Sequence, residues 1–553
     1  MSKKIVIVGG VAGGATAAAR LRRLDEHAEI VLIERGEHIS FANCGLPYYI
    51  GDVIGERGAL FLQTVAGMSR RFNIDIRHLS EATQINRAEK TITVKNLQTN
   101  EEYKESYDIL ILSPGSKPIR PNIPGIDEAD HLFTLRNIPD TDAIKDYIES
   151  NTVKKAVVVG GGFIGVEMAE NLWELGIDVS LVEMSNQVMT AIDIEMASML
   201  HDHMQTKGVH LYLEDGVKAF EANGEKVVLS SGKVLEADLI ILAIGVVPEN
   251  ELAKDAELEL GIRGTIVVNE HFKTSDDNIY AIGDVIQVKD YINGQSAMIP
   301  LAWPANRQGR LVADHIAGKD VAYKGTLGTS IAKVFDLTVA ATGNNEKTLT
   351  RLKVAYEVVH INPNSHAGYY PGATPIMLKL IFNKEGKIFG AQAVGVQGVD
   401  KRIDVIATAI KGGLTVFDLP DLELSYAPPY SSAKDPVNMI GYVASNLLEG
   451  AVETVQWHEV EQMIAGDYLF LDVREPEEVA RGTISGAINI PLGQLRDQLG
   501  ELPKNKVLHI FCEVGLRGYL ATRILVAHGF KVKNLDGGYR LYKLTKDDVS
   551  NLV

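Results

Sequence analysis

Cysteine is almost missing from this chain: its 553 residues include two, Cys44 and Cys512. Two thiols cannot build the disulfide framework of a secreted protein, and such sparing use points to a reducing cytoplasm. No CxxC or paired Cys/His spacing occurs, so no metal site is expected. No run reaches the roughly 18 consecutive apolar residues that a membrane span needs. The first apolar stretch, Ile5 to Val8, is short and closed by glycines, which suits a buried strand and not a secretion signal. Positive charge is in the minority: 55 Lys and Arg stand against 72 Asp and Glu, for a net charge of -17. That balance excludes broad contact with nucleic acid or an anionic membrane. Low-complexity tracts are also missing, and 46% hydrophobic with 23% charged residues is an ordinary globular composition. The length exceeds one core and suggests roughly three or four domains.

Two segments repeat one pattern of strand, glycine turn, helix and strand. In the first, Lys4 to Val8 leads into Gly9 to Gly14, a helix to about Leu24, and a strand ending on Glu34. In the second, Ala156 to Val159 leads into Gly160 to Gly165, a helix to about Leu175, and a strand ending on Glu183. Glycines at such turns let the backbone approach a pyrophosphate that the helix N-terminus faces, and the terminal acid can bind a ribose hydroxyl. Gly160, Gly162 and Gly165 fit the fingerprint fully. In the first turn Gly9 and Gly14 fit, but Val11 takes the middle position. The buried strand Ile109 to Leu112 ends in the tight turn Ser113-Pro114-Gly115, and the later segment Thr274 to Asp284 reads as a strand ending on Gly283-Asp284.

These four features together resemble the two-dinucleotide flavoprotein disulfide reductases. The resemblance implies FAD on the first fingerprint (Gly9, Gly14, Glu34) and NADH or NADPH on the second (Gly160, Gly162, Gly165, Glu183). It also implies that Asp284 binds the ribityl chain and that Ser113 and Gly115 mark the crossing between nucleotide domains. Glu183 would accept from a ribose 2'-hydroxyl and repel a 2'-phosphate, which favours NADH. The expected fold class is α/β: two Rossmann-like dinucleotide-binding domains, an α+β dimerisation domain and a C-terminal α/β domain. The expected boundaries are 1–115 and 253–324 for FAD, 116–252 for the nicotinamide, 325–450 for dimerisation and 455–553 for the last domain.

Cys44 lies in Ser40-Phe41-Ala42-Asn43-Cys44-Gly45, shortly after the second strand of the FAD unit. A thiol beside oxidised flavin and a helix N-terminus would have a lowered pKa and act as a nucleophile. Dithiol reductases of this superfamily carry a second cysteine five residues on, where this chain has Tyr49. The oxidised partner of Cys44 is therefore an external sulfur in a mixed disulfide, an oxygen in a sulfenic acid, or Cys512.

The run Ser40 to Tyr48 closely resembles the coenzyme A-disulfide reductase family, over roughly residues 1 to 450. That resemblance implies a CoA site at Thr16, Arg20, Arg23, Ser40, Asn43, Asn306 and Lys434, with basic side chains suited to its phosphates. It further implies a homodimer in which Tyr426, and Tyr370 or its neighbour Tyr369, bring hydroxyls to the active-site sulfur. A phenol there could protonate a departing thiolate.

Near the end, the apolar strand Val507 to Phe511 runs straight into Cys512-Glu513-Val514-Gly515-Leu516-Arg517-Gly518. A thiol held by backbone N–H groups with an arginine closing the loop is a cradle for a thiolate or persulfide. With Leu471-Asp472-Val473-Arg474-Glu475 and Asp536-Gly537-Gly538-Tyr539, this segment resembles a single rhodanese domain. The resemblance implies a Cys512 persulfide aided by Arg517. The expected activity is reduction of CoA disulfide, CoA persulfide or polysulfide through Cys44. The alternatives are an NADH oxidase or peroxidase using a Cys44 sulfenate, and a non-catalytic redox-sensing flavoprotein.

Overall fold

The computed structural model describes residues 3–466 and 468–550, so the outermost residues of the expected first and last domains lie outside it. The chain forms two compact units, one of residues 1–182 and 215–328, the other of residues 183–214 and 329–553. No helix among the described residues is long and apolar enough to cross a membrane.

The first unit contains two nucleotide-type sheets. One is parallel throughout, with strands in the order Ile279–Ala281, Ile109–Leu112, Lys4–Val8, Glu29–Ile33, Asp75–Arg77. Its central strands are buried on both faces, which is why they read as continuous apolar runs and not as an alternation. The second places Asp178–Val182, Lys155–Val159, Leu239–Leu242 and Leu132–Phe133 side by side, again parallel. Strand Ser116–Pro118 pairs antiparallel with Val246–Pro248 and forms the crossing just after Gly115. Helices Ala12–Leu24 and Ala302–Ile316 cross closely because Gly309 has no side chain: a Cβ there would overlap the carbonyl oxygen of Gly13.

The second unit is built on an antiparallel sheet ordered Ser330–Val334, Leu337–Gly343, Ile388–Gly395, Ile376–Phe382, Glu357–Ile361. A separate parallel sheet follows, ordered Thr454–Val455, Lys531–Leu535, Val507–Phe511, Leu469–Asp472, Ile488–Asn489. The segment 183–214 is part of this unit. It holds part of a buried ionic cluster. Lys379, wholly buried, bonds Asp193 at 2.9 Å and also Glu195 and Glu346. Asp193 and Glu195 lie at the start of helix Ile194–Thr206, and three carboxylates around one ammonium hold that helix to the antiparallel sheet.

Candidate active site

Cys44 sits in the 3-10 turn Asn43–Gly45, ahead of the five-residue helix Leu46–Ile50. Both Asn43 and Cys44 are exposed. Ser40 sets the approach with a left-handed φ of +46°. Its N–H donates to the Gly10 carbonyl at 2.9 Å, and its own carbonyl accepts from Leu62 N–H at 3.0 Å. The Cys44 segment is thus tied by backbone bonds to the first glycine turn. Position 49 holds a tyrosine ring under the Lys145 ammonium, 5.0 Å from its centroid.

The expectation of a lowered thiol pKa is corrected as far as this chain's own groups are concerned. Burial first, then the carboxylates of Glu167 and Asp284, push the Cys44 thiol up. The helix that follows is a little over one turn long and too short to offset them. Glu167, which the sequence reading passed over, is pushed up to about 7 by burial and by Glu170, while a hydrogen bond from Tyr48 acts the other way. Its signal was available: a carboxylate inside the apolar run Phe163-Ile164-Gly165-Val166-Glu167-Met168. Asp284 follows strand Ile279–Ala281 and accepts from Ser116 Oγ at 3.0 Å. Burial raises its pKa, against Ser116 and Arg136.

The glycine turns leave room only where a phosphate needs it. At Gly9 (φ +98°) a Cβ would overlap the Ser113 carbonyl oxygen, and at Gly14 that of Gly9. Gly160 and Gly165 are crowded in the same way, by Ala243 and by Gly160 itself. Gly162 differs: a Cβ there meets open space, on the approach to helix Phe163–Glu174. Neither that helix nor Ala12–Leu24 has a side-chain N-cap bond or an acidic first turn, so both keep donors for an anion. Glu34 accepts N–H bonds from Gly10 (2.8 Å) and Gly36 (2.7 Å), and Glu183 accepts one from Ser185 at 2.8 Å. These bonds fix each acid just past its strand, where a ribose would lie. Ser113 N–H donates to the Val8 carbonyl at 2.8 Å, and Gly115 turns the chain at φ +77°. The residues fit two dinucleotides.

The expected CoA positions of this unit fall into two kinds. Thr16 Oγ1 donates to Asn306 Oδ1 at 2.7 Å, across the close crossing that Gly309 permits. Arg20 is not a free cation, because its guanidinium is bonded to Asp314 at 2.6 and 2.9 Å. Arg23, one turn on, is exposed.

In the second unit, Tyr426 Oη and Tyr369 Oη form a hydrogen bond of 2.8 Å, and both residues are exposed. Tyr370 instead stands edge-on to His366, ring centroids 5.6 Å apart. Lys434 is exposed beside buried Asp435, which caps helix Pro436–Leu448 and accepts from Arg402 (3.0 Å) and Ser431 (2.7 Å).

Cys512 is buried at the end of strand Val507–Phe511. Gly515, at φ +99°, donates its N–H to Cys512 Sγ at 3.2 Å. Arg517 gives both terminal nitrogens to Glu478, each at 2.6 Å. Glu478 foremost, and Cys512 to a smaller degree, raise the Arg517 pKa against burial. The same pair holds Glu478 down at about 2. Beneath the loop, Arg474 bonds Asp472, Glu513 (3.0 Å) and the Gly482 carbonyl (2.7 Å), and lies 4.2 Å from the Tyr539 ring centroid.

Residues 3–309 match the pyridine nucleotide-disulphide oxidoreductase model, and 329–436 match the dimerisation domain of the same enzymes. The chain belongs to the pyridine nucleotide-disulphide oxidoreductases. Residues 456–545 match a rhodanese-like domain. A coenzyme A disulfide reductase of Staphylococcus haemolyticus is 41% identical over 447 residues, 80% of this chain and all of that protein. Among solved structures, reduced Bacillus anthracis CoADR-RHD superposes with a TM-score of 0.98 at 64% identity, covering 99% of each chain. An NAD-dependent persulfide reductase from A. fulgidus gives 0.92 at 38% identity, over 98% of this chain and all of that one. This oxidoreductase therefore acts on sulfur, and its fold is that of the family with a rhodanese-like domain appended.

Proposed function

We propose that the protein reduces CoA disulfide, CoA persulfide or polysulfide with NADH, through Cys44, as a cytoplasmic homodimer. The observation that carries this is an exposed, unpaired Cys44 at the edge of the first nucleotide unit, with a tyrosine where a second cysteine would stand. Cys44 Sγ attacks one sulfur of the substrate, forms a mixed disulfide, and releases the other sulfur as a thiol or as sulfide. FAD on Gly9, Gly14, Glu34 and Asp284 would supply the two electrons per turnover, drawn from NADH on Gly160, Gly162, Gly165 and Glu183. The backbone turns bind the phosphates, and Glu183 selects against a 2'-phosphate. Thr16, Arg23, Ser40, Asn43, Asn306 and Lys434 bind CoA, while Arg20 orients its helix through Asp314. Tyr369 and Tyr426 share a proton between hydroxyls and can pass one to a departing thiolate. Cys512 carries sulfane sulfur, with the Gly515 N–H and Arg517 stabilising its anion. The names of the staphylococcal and A. fulgidus relatives support this choice of substrates.

The test is NADH consumption with CoA disulfide, CoA persulfide, polysulfide and oxygen, together with the mass of the Cys44 peptide from purified protein. A Cys44–CoA adduct and sulfur-dependent turnover lost in Cys44→Ser are expected. A Cys44 sulfenate with oxygen as the preferred oxidant would sink the proposal.

A further inference from the structure

The loop that carries Cys512 leans on a turn, and that turn is held from a different sheet. Asp536-Gly537-Gly538 follows strand Lys531–Leu535 and opens helix Gly538–Ser550. Both glycines are left-handed, at φ +69° and +71°. Gly538 lies so close to the loop that a Cβ would overlap the carbonyl oxygens of Cys512 and Glu513. The next two residues bond those carbonyls: Tyr539 N–H donates to Cys512 at 2.8 Å and Arg540 N–H to Glu513 at 3.0 Å. Gly515, whose N–H reaches Cys512 Sγ at 3.2 Å, meets the same turn, because a Cβ on it would stand 3.9 Å from the Gly537 nitrogen. The turn thus backs both the thiol's own residue and the residue that bonds its sulfur.

Asp536 is buried, and its carboxylate is engaged outside its own sheet. Oδ1 accepts from the His360 backbone N–H at 3.1 Å and Oδ2 from the His360 ring Nδ1 at 2.7 Å, both on strand Glu357–Ile361 of the antiparallel sheet. The other ring nitrogen faces Glu195 at 3.3 Å, and Glu195 in turn bonds Lys379. With both nitrogens engaged and the ring buried, His360 has one orientation, so Oδ2 has a fixed donor. Without that donor a buried carboxylate oxygen is left unpaired, and the turn must shift to satisfy it. Helix Gly538–Ser550 has a second outside tie. Asp548 accepts from Ser198 Oγ at 2.7 Å and meets His201 Nδ1 at 2.7 Å, both on helix Ile194–Thr206. That tie lies about two and a half turns along the helix from Tyr539, away from the Asp536 turn.

We propose that His360 is a positioning residue for Cys512: by holding Asp536 it keeps the turn against the Cys512 loop and the Gly515 N–H on Sγ. The consequence is chemical. Helix Leu516–Ala527 begins at Gly515 with no side-chain cap bond and no acidic residue in its first turn, so its first N–H groups are available to an anion. They serve the sulfur only while the loop keeps its shape. In the step this supports, the Cys512 thiolate attacks the outer sulfur of a persulfide R–S–SH and a new S–S bond forms. The donor's S–S bond breaks with its electron pair on R–S, which takes the proton of the outer sulfur. The products are Cys512–S–S⁻ and R–SH. The step rests on the proposed role of Cys512 as a sulfur carrier, whereas the positioning of its loop does not.

The experiment uses the full-length flavoprotein, well below its melting temperature, and two readouts. One is deuterium uptake by the backbone amides of residues 512–518. The other is the rate at which cysteine persulfide loads Cys512, followed by peptide mass. His360→Leu removes the ring donor, so uptake should quicken and loading should slow about tenfold, the effect of one lost N–H bond to a charged sulfur. His360→Asn sets an amide N–H near the place of Nδ1 and should recover most of both. Asp536→Asn, which keeps the side chain's size and turns an N–H₂ toward the ring N–H, is a milder break and should slow loading in the same sense if His360→Leu fails to fold. Asp548→Ala cuts the far tie and should lower the melting temperature while leaving both readouts at wild-type values. The inference is overturned if folded His360 or Asp536 variants match the wild type, if His360→Asn restores nothing, or if Asp548→Ala has the same effect as His360→Leu. If wild-type Cys512 takes up no sulfur while deuterium uptake responds as expected, the carrier role fails and the positioning stands.

Discussion

His360 holds Asp536 twice: its backbone N–H donates to Oδ1 at 3.1 Å and its ring Nδ1 donates to Oδ2 at 2.7 Å. The other ring nitrogen faces Glu195 at 3.3 Å. His360 lies on strand Glu357–Ile361, while Asp536 opens the Asp536-Gly537-Gly538 turn under the Cys512 loop, where Tyr539 N–H donates to the Cys512 carbonyl at 2.8 Å. The imidazolium therefore joins the antiparallel sheet to the loop that carries the second thiol.

That joint should make stability depend on pH. Burial opposes the charge on His360, but Asp536 and Glu195 prevail and lift its pKa to about 9. A raised pKa means that the contribution is full below the unfolded value near 6.5 and fades as pH climbs through 9. His360→Gln should cost about 3–5 kcal/mol, as removal of one partner of a buried pair does, and should flatten the apparent melting temperature between pH 6.5 and 9. Thermal scans of both proteins across that range check it.

Gly162 and Gly165 should respond to the same methyl group in opposite ways. Gly165→Ala drives a Cβ into the Gly160 carbonyl and should destabilise the nucleotide domain by several kcal/mol, or about 1–3 at least, as overpacking does. Gly162→Ala places its Cβ in open space and should leave the melting temperature unchanged while raising KM for NADH. Melting curves and NADH titrations of the pair decide.

How legible these features are in the sequence follows from their range. The glycine turns were readable because the positive φ of Gly9 and Gly160 and the spacing to Gly14 and Gly165 are local demands, met within six residues. The Cys512 cradle was readable for the same reason. The partner of Arg20 was not: a basic helix face looks free until Ala302–Ile316 crosses it and delivers Asp314, 294 residues away. His360 and Asp536, 176 residues apart, leave no periodic trace at all. The Tyr369 hydroxyl, and not that of Tyr370, meets Tyr426 because the fold of a short loop decides between neighbours.

Arg517 is divided between Glu478 and Cys512, which makes its loss doubly costly for the sulfur anion. Arg517→Ala removes the cation and leaves the Glu478 carboxylate without its partner. Persulfide loading of Cys512, followed by mass after exposure to a small persulfide, should slow about tenfold, equivalent to roughly 1.4 kcal/mol of lost anion stabilisation.

Asp435 should matter beyond its helix. It caps Pro436–Leu448 and neutralises buried Arg402, next to exposed Lys434. Asp435→Ala should cost about 3–5 kcal/mol and leave the Arg402 charge uncompensated. The conservative Asp435→Asn keeps the cap and should recover part of the melting temperature, a difference that calorimetry resolves.

The tyrosine at position 49, lying under Lys145, has a consequence for bookkeeping of electrons outside the protein. A neighbouring pair of thiols would let the enzyme store two electrons internally and look the same in any medium. With no cysteine at position 49, an oxidised Cys44 that does not pair with Cys512 is capped by a molecule from solution. Each preparation thus bears the imprint of the thiols it last met. Releasing and weighing that cap reports the small-sulfur chemistry of the surroundings, and the protein doubles as its own dosimeter.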